Sequence, residues 1–333
     1  MEIKPLNLFY EEPDPDRWFK YDRYPRRLIR RFIRGKQRPG GVMMIALNLM
    51  EGLDKIGIPY RFNDYKYIKR HPEEIACIIG KPHLLTKKNW VNPIILGAGI
   101  FSHPIDYPDL LKQYPTIERI LVPGPWMQQM FQPWYGDIVT AWPVGINTEH
   151  WSMPIPGYHH EIDFVIYDKL NQDRDTLLHK VLNPILKILK DRNLVVQIIR
   201  YGAYTHAELQ KTLSKVKAAI FLSESETQGI AYQQILSSDI PILAWDRSGY
   251  WQDPHYYPER VKYKPVSSVP YWDERCGVKF TDAEDFKEKL DGFLASLNEF
   301  KPRKYILENL TLEICAEKYL QIYREVEDRL LRK

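Results

Sequence analysis

In the stretch SESETQGIAYQQILSSDIPILAWD, residues 223–246, the carboxylate of Glu226 stands three positions before Gly229. A helical pattern runs from the glycine to Pro241, and an apolar run follows. The order is strand, turn, helix, strand. The first turn of a helix leaves backbone N–H groups without intrahelical acceptors, so the amides of Thr227, Gln228, Gly229 and Ile230 can face an anion. A glycine there permits close backbone approach or an unusual dihedral. One turn therefore offers a carboxylate and an anion cradle together. A carboxylate at a helix N-terminus also serves simply to complement the dipole, and spacing alone leaves both readings open.

Two cations follow the apolar run IDFVIY at 162–167: Lys169 and Arg174. Both carry permanent charge, Arg with bidentate geometry and Lys as a point charge; the competing reading is a pair of solvated loop charges. The triplets Asp14-Pro15-Asp16 and Asp173-Arg174-Asp175 imitate a metal-binding Asp-x-Asp. In a chain that is 27% charged such triplets arise by chance. The first sits in a Pro-containing loop and the second fits a helix start, so no essential metal is expected.

The elements that must position these residues alternate. Strands are expected at 5–10, 59–64, 75–80, 93–98, 118–123 and 138–143, with helices at 42–56, 108–114 and 125–133. After an aperiodic stretch rich in Pro, His and Trp at 146–161 come strand 162–167, helix 173–191, strand 195–201, helix 205–216, strand 218–222, helix 229–238 and strand 240–245. Repeated βαβ units imply parallel sheets with right-handed crossovers. With 333 residues the chain is long enough for two domains. Two such halves put a ligand cleft between domains, at the carboxyl ends of the strands.

Composition narrows the class. At 44% hydrophobic the chain is an ordinary globular protein, without a run approaching the roughly 20 apolar residues of a membrane span. The start lacks the regions of a signal peptide. Cys77, Cys276 and Cys315 are too few and scattered for a disulfide framework or zinc site, which favours a reducing cytosol. The net charge of +4 is local: residues 23–38 hold eight Lys/Arg and no acid, and the remainder has 39 basic against 43 acidic residues. A nucleic-acid surface is not indicated. Residues 25–35 read instead as a helix with Leu28, Ile29, Phe32 and Ile33 on one face and arginines around them. That pattern suits reversible docking on an anionic membrane, or an arginine-rich helix packed on the first domain.

Glu226, Gly229, Gln234 and Pro241 together resemble the sugar-nucleotide signature of the GT-B glycosyltransferases, specifically the family-4 retaining enzymes. In that family a second glutamate, eight positions after the first, accepts hydrogen bonds from the nucleotide ribose. Gln234 stands there and can accept through its carbonyl oxygen. RPGGVMMIALNLMEGLDKIGIPYRF at 38–62 resembles the family's first glycine loop, helix and second strand. The resemblance implies that Gly40 and Gly41 approach a diphosphate or the acceptor. GAGIFSHP at 97–104 places His103 where the family has a histidine beside the donor sugar. VPGPWMQQMFQPWYGDIVTAWPVGINTEHW at 122–151 resembles the last strands of the N-domain and the hinge, and TLEICAEKYLQIYREVEDRL at 311–330 the terminal helix that crosses back. Lys169 and Arg174 match, with types exchanged, the family's diphosphate-neutralising pair.

The resemblance implies an α/β chain of GT-B architecture. It has an acceptor-side Rossmann-like domain at 1–147, a linker at 148–161, a nucleotide-sugar domain at 162–310, and a returning helix at 311–333. It implies a retaining, metal-independent, cytoplasmic transferase with no cofactor, and with closure about Gly145–Ile146. The donor is a nucleotide-diphosphate sugar; the acceptor is a glycan, a lipid-linked sugar or a small molecule. Its diphosphate contacts are Lys169, Arg174 and residues 227–230, its ribose contact Gln234, and its catalytic-site residues Glu226 and His103. Three other readings compete. Glu224 and Glu226, about 6.5–7 Å apart in extended chain, would be the pair of a glycoside hydrolase. The glutamine at 234 would suit an inactive GT-B-like binding protein. A nonhydrolysing sugar-nucleotide epimerase shares the fold class but fits the motifs less well.

Overall fold

The computed structural model describes residues 4–12, 25, 41–80, 82–99, 101–152 and 161–332. Gly40, the Asp14–Asp16 triplet and all of the basic segment except Pro25 lie outside the described residues. The chain divides into two compact units, one of Met1–Pro123, Phe131–Trp142 and Ala316–Lys333, the other of Gly124–Met130 and Pro143–Cys315.

In the first unit six parallel strands form one sheet in the order β2-β1-β3-β4-β5-β6. They are β1 Leu6–Phe9, β2 Tyr60–Phe62, β3 Ala76–Ile79, β4 Ile94–Gly97, β5 Ile117–Val122 and β6 Val139–Ala141. Every residue of β1, β3 and β4 is buried. A parallel strand covered on both faces must be a continuous apolar run, and that is how these segments read. The helix Gly41–Lys55 buries Ile45, Leu49 and Leu53, one face at four-residue spacing. Tyr319, from the helix Leu312–Leu331, meets Trp142 edge-on at 5.0 Å. Among the described residues no helix is long and apolar enough to cross a membrane.

In the second unit five parallel strands run in the order β11-β10-β9-β7-β8. They are β7 Ile162–Lys169, β8 Val196–Arg200, β9 Val216–Ser223, β10 Ile242–Trp245 and β11 Gly277–Phe280. Strand alternation sorts the core by parity. Phe164, Ile166, Ala218, Ile220 and Leu222 pack with Ile185, Leu189, Phe286 and Leu290. Val165, Tyr167, Ala219 and Phe221 pack with Leu209, Leu213, Tyr232 and Ile235. The helix expected at 173–191 is built as Arg174–Leu177, a π-turn Leu178–Leu182 and Asn183–Asp191. Pro184 supplies no N–H to the ladder just after that turn. The sequence expectations did not include β11, the helix Ala283–Ala295, which starts on an Asp282 cap to the amides of Glu284 and Asp285, or the helix Pro302–Asn309. Within 146–161, Ile146 bridges Thr311 and Trp151 is buried in the core of this unit, its carbonyl accepting from Ser237 Oγ at 2.7 Å.

Candidate functional site

The chain leaves β7, forms β8 on one side of it, and returns to form β9 on the other. At such a reversal the loops beyond the two strands diverge and leave room for a ligand at their carboxyl ends. Lys169 ends β7 and lies in register with Ser223, which ends β9. Lys169 Nζ is 2.7 Å from Glu226 Oε1, and Ser223 Oγ donates to the same oxygen at 2.9 Å. Both side chains are largely buried, Lys169 at 24% exposure and Glu226 at 10%. Burial works against the lysine charge, but the facing carboxylate outweighs it and holds the ammonium above its ordinary value. The ammonium also lies over the Tyr201 ring, 4.7 Å from its centroid.

The turn carrying Glu226 is fixed from several directions. Its N–H donates to Ser267 O at 2.9 Å, and its carbonyl accepts from the indole of Trp126 at 2.7 Å. Gln228 turns inward, accepting from Val144 N at 3.1 Å and donating to Val144 O at 3.3 Å. Gly229 caps the helix Ile230–Ser237 with φ +74° and ψ +43°. A Cβ there would sit 2.0 Å from Cε1 of the fully buried Tyr232, so both dihedral and space require glycine. The backbone N–H groups of Thr227, Gln228, Gly229 and Ile230 donate no hydrogen bond among the described residues. These are the four amides that the sequence offers to an anion, while the Gln228 side chain serves the fold.

The loop after β7 is held by two more carboxylates. Asp168, 2% exposed, accepts from Arg174 Nη1 at 3.1 Å and Nη2 at 2.7 Å, and from Leu170 N at 3.1 Å. The hydrogen bond to Asp168 raises the arginine above its ordinary value. Glu224 Oε1 accepts from Asn171 N at 2.9 Å and Gln172 N at 2.7 Å. The two glutamates considered as a hydrolytic pair therefore hold different partners: Glu224 shapes the loop, Glu226 faces Lys169. Gln234 is 5% exposed, and its side-chain amide makes no hydrogen bond among the described residues.

His103 and Gly41 belong to the first unit. His103 is buried, with Nδ1 accepting from Ile105 N at 3.0 Å, and its ring stands edge-on to Trp134 at 5.9 Å. Gly41 starts the helix Gly41–Lys55, with nothing within 4 Å of where a Cβ would be. Sequence reasoning missed Ser223, Asp168 and Trp126. Asp168 carried a signal, as an acid closing an apolar strand six positions before an arginine; Trp126 carried none.

No family model matches the sequence, and no curated protein matches it. Solved structures do match along the whole chain. Sucrose-phosphate synthase from Thermosynechococcus elongatus superposes with a TM-score of 0.58 at 12% identity, over 98% of this chain and 100% of that one. The Anabaena protein Alr3699/HepE, in complex with UDP, gives 0.53 at 9% identity over 99% and 100%. AviGT4, a glycosyltransferase involved in avilamycin A biosynthesis, gives 0.51 at 12% identity over 99% of both chains. With two parallel-sheet units and these likenesses, the chain has the GT-B glycosyltransferase fold.

Proposed function

We propose that the chain is a retaining glycosyltransferase that moves a sugar from a nucleotide-diphosphate donor to a glycan, lipid-linked or small-molecule acceptor. One observation carries the reading: the Lys169–Glu226 pair at the β7/β9 reversal, beside open amides at the start of the helix Ile230–Ser237. The amides of 227–230, Lys169 and Arg174 hold the diphosphate, and Glu226 holds hydroxyls of the attached sugar. Gln234 takes the ribose, and His103, Gly40 and Gly41 are the candidates that the first part of the chain offers for the sugar, the acceptor or the phosphate. The bound UDP of HepE supports a nucleoside diphosphate as the ligand class.

Breaking the glycosidic bond puts new negative charge on the leaving diphosphate. Preorganised amides and a partly desolvated ammonium stabilise that charge most as the bond breaks. Lys169, already bonded to Glu226, then links the phosphate to the carboxylate that holds the sugar hydroxyls. The leaving phosphate deprotonates the acceptor on the same face, so no side-chain nucleophile is required. Transfer proceeds without a metal ion and therefore persists in EDTA. The enzyme works in the cytoplasm, with residues 25–35 docking it reversibly on anionic membrane.

Thermal shift and calorimetry with UDP, GDP, ADP and dTDP and their sugars, in EDTA, test the donor site. Saturable binding of one nucleotide family, followed by transfer from its sugar, supports the reading; no binding by any of them refutes it. Flotation with anionic liposomes at low salt tests the membrane step, which is wrong if the protein stays at the bottom.

A further inference from the structure

Arg247 follows β10 by two residues. The intervening Asp246, 7% exposed, pins the strand end: its carboxylate accepts from Ser267 Oγ and Lys279 Nζ, both at 2.8 Å, and from Ser268 N at 3.0 Å. Arg247 is partly buried. Its guanidinium carbon lies 5.3 Å from the Trp245 ring centroid, and Nη2 donates to Gln252 Oε1. Its Nε–H is buried and donates to nothing among the described residues. Burial lowers its pKa, and the field of Glu224 only partly opposes this.

The other cations at the carboxyl edge of this sheet have carboxylates. Lys169 has Glu226, Arg174 has Asp168 with Arg200 4.0 Å from the same acid, and Lys279 has Asp246. Among the described residues Arg247 has no carboxylate within 4.0 Å. A half-desolvated, permanently charged group with no carboxylate in contact, and only the field of Glu224 to offset its burial, is costly to keep. It is repaid when a ligand supplies the anion, and guanidinium favours a flat, two-oxygen partner.

Strand order says which part of the ligand that is. β10 borders β9 on the side away from β7. Lys169 and Arg174 leave the sheet on the β7 side and Arg247 leaves it from β10, beyond the β9 turn that carries Glu226, while the field of Glu224 reaches all three cations. Nearby carboxylates do not forbid an anion there. Glu226 is neutralised by Lys169, and Glu224 takes two backbone N–H bonds on Oε1. We propose that Arg247 pairs with a carboxylate on the donor sugar, which makes the substrate a nucleotide-activated uronic acid and not a neutral hexose. The proposal rests on the donor-site reading above.

The test uses the full chain and the base that binds: UDP-glucuronate against UDP-glucose for uridine, GDP-mannuronate against GDP-mannose for guanosine. Wild type is expected to bind the uronate about tenfold more tightly or better, the scale of one charge-assisted pair. Arg247→Gln should bring the two sugars within about twofold, with the free diphosphate bound as before. Arg247→Lys, which keeps the charge, should retain part of the preference. Unliganded melting temperatures check that both variants fold. Binding of no nucleotide defeats the donor-site reading itself. Binding without uronate preference, or a preference that survives Arg247→Gln, overturns this proposal and leaves that reading standing. A parallel loss of free diphosphate in Arg247→Gln also overturns it, since the residue would then serve the phosphates.

Discussion

Replacing Glu226 by Gln keeps shape and one acceptor oxygen and removes one charge. Oε1 receives Lys169 at 2.7 Å and Ser223 at 2.9 Å, and an amide oxygen can receive both. What is lost is the field. For a fully buried pair, removing one partner costs about 3–5 kcal/mol. Lys169 keeps 24% exposure and the face of Tyr201, so about 1–2 kcal/mol of stability is expected here. That is a small part of the roughly 5–15 kcal/mol of a typical domain, and the variant should be folded at 25 °C. The catalytic loss is larger. If the carboxylate strengthens its bonds to the sugar as positive charge develops, transfer should fall roughly 10²-fold or more. Binding of the free nucleoside diphosphate should hold or tighten modestly, because Lys169 no longer shares its charge with a carboxylate. Steady-state transfer, calorimetry with the diphosphate and circular dichroism on one preparation provide the comparison. A folded variant with near wild-type transfer would sink the role given to Glu226. So would diphosphate affinity falling in step with the rate.

Gly229→Ala should destabilise the fold by about 2 kcal/mol or more and abolish donor binding, because the new Cβ meets a buried ring at a left-handed position; chemical denaturation measures it, and a stable, binding-competent variant would refute the tight turn. Arg174→Ala strips two charge-assisted bonds from Asp168 at 2% exposure. It should cost about 2–3 kcal/mol of stability as well as diphosphate affinity, and unchanged values of both would make it a solvated loop charge. The raised pKa of Lys169 sets a pH window. Its pairing contributes fully below the ordinary lysine value of 10.5 and is lost as pH rises through the higher folded value. The stability gap between wild type and Lys169→Met should therefore be level from pH 7 to about pH 10 and shrink above. A gap independent of pH would remove the ion pair as its cause.

Most of the sheet framework was legible because parallel strands covered on both faces are continuous apolar runs, as in β3, β4, β7 and β9. β11 was not, since four residues with Lys279 among them give no period. Glu226 and Gly229 were legible because carboxylate, turn and helix start are contiguous in sequence. The contact of Glu226 with Lys169 was not, because it depends on β9 returning to the far side of β7. Arg247 was invisible for a related reason. A charge becomes noteworthy when its neighbours lack a counter-charge, and only the folded arrangement determines those neighbours.

The turn at Glu226 is tied to residues far along the chain: its carbonyl to Trp126 across 100 positions, and its neighbour Gln228 to Val144 across 84. Each tether closes a long loop before it returns any stability, so the turn takes its final shape only after the sheet around it exists. A fragment beginning at Pro143 would contain every strand of the second sheet yet lack the indole that holds the Glu226 carbonyl. In such a piece the turn would lack one of its tethers while keeping those to Ser267 and Val144. On the proposed donor-site reading, binding should need a longer stretch of chain than the sheet itself, and separately expressed halves should recover secondary structure before they recover a ligand.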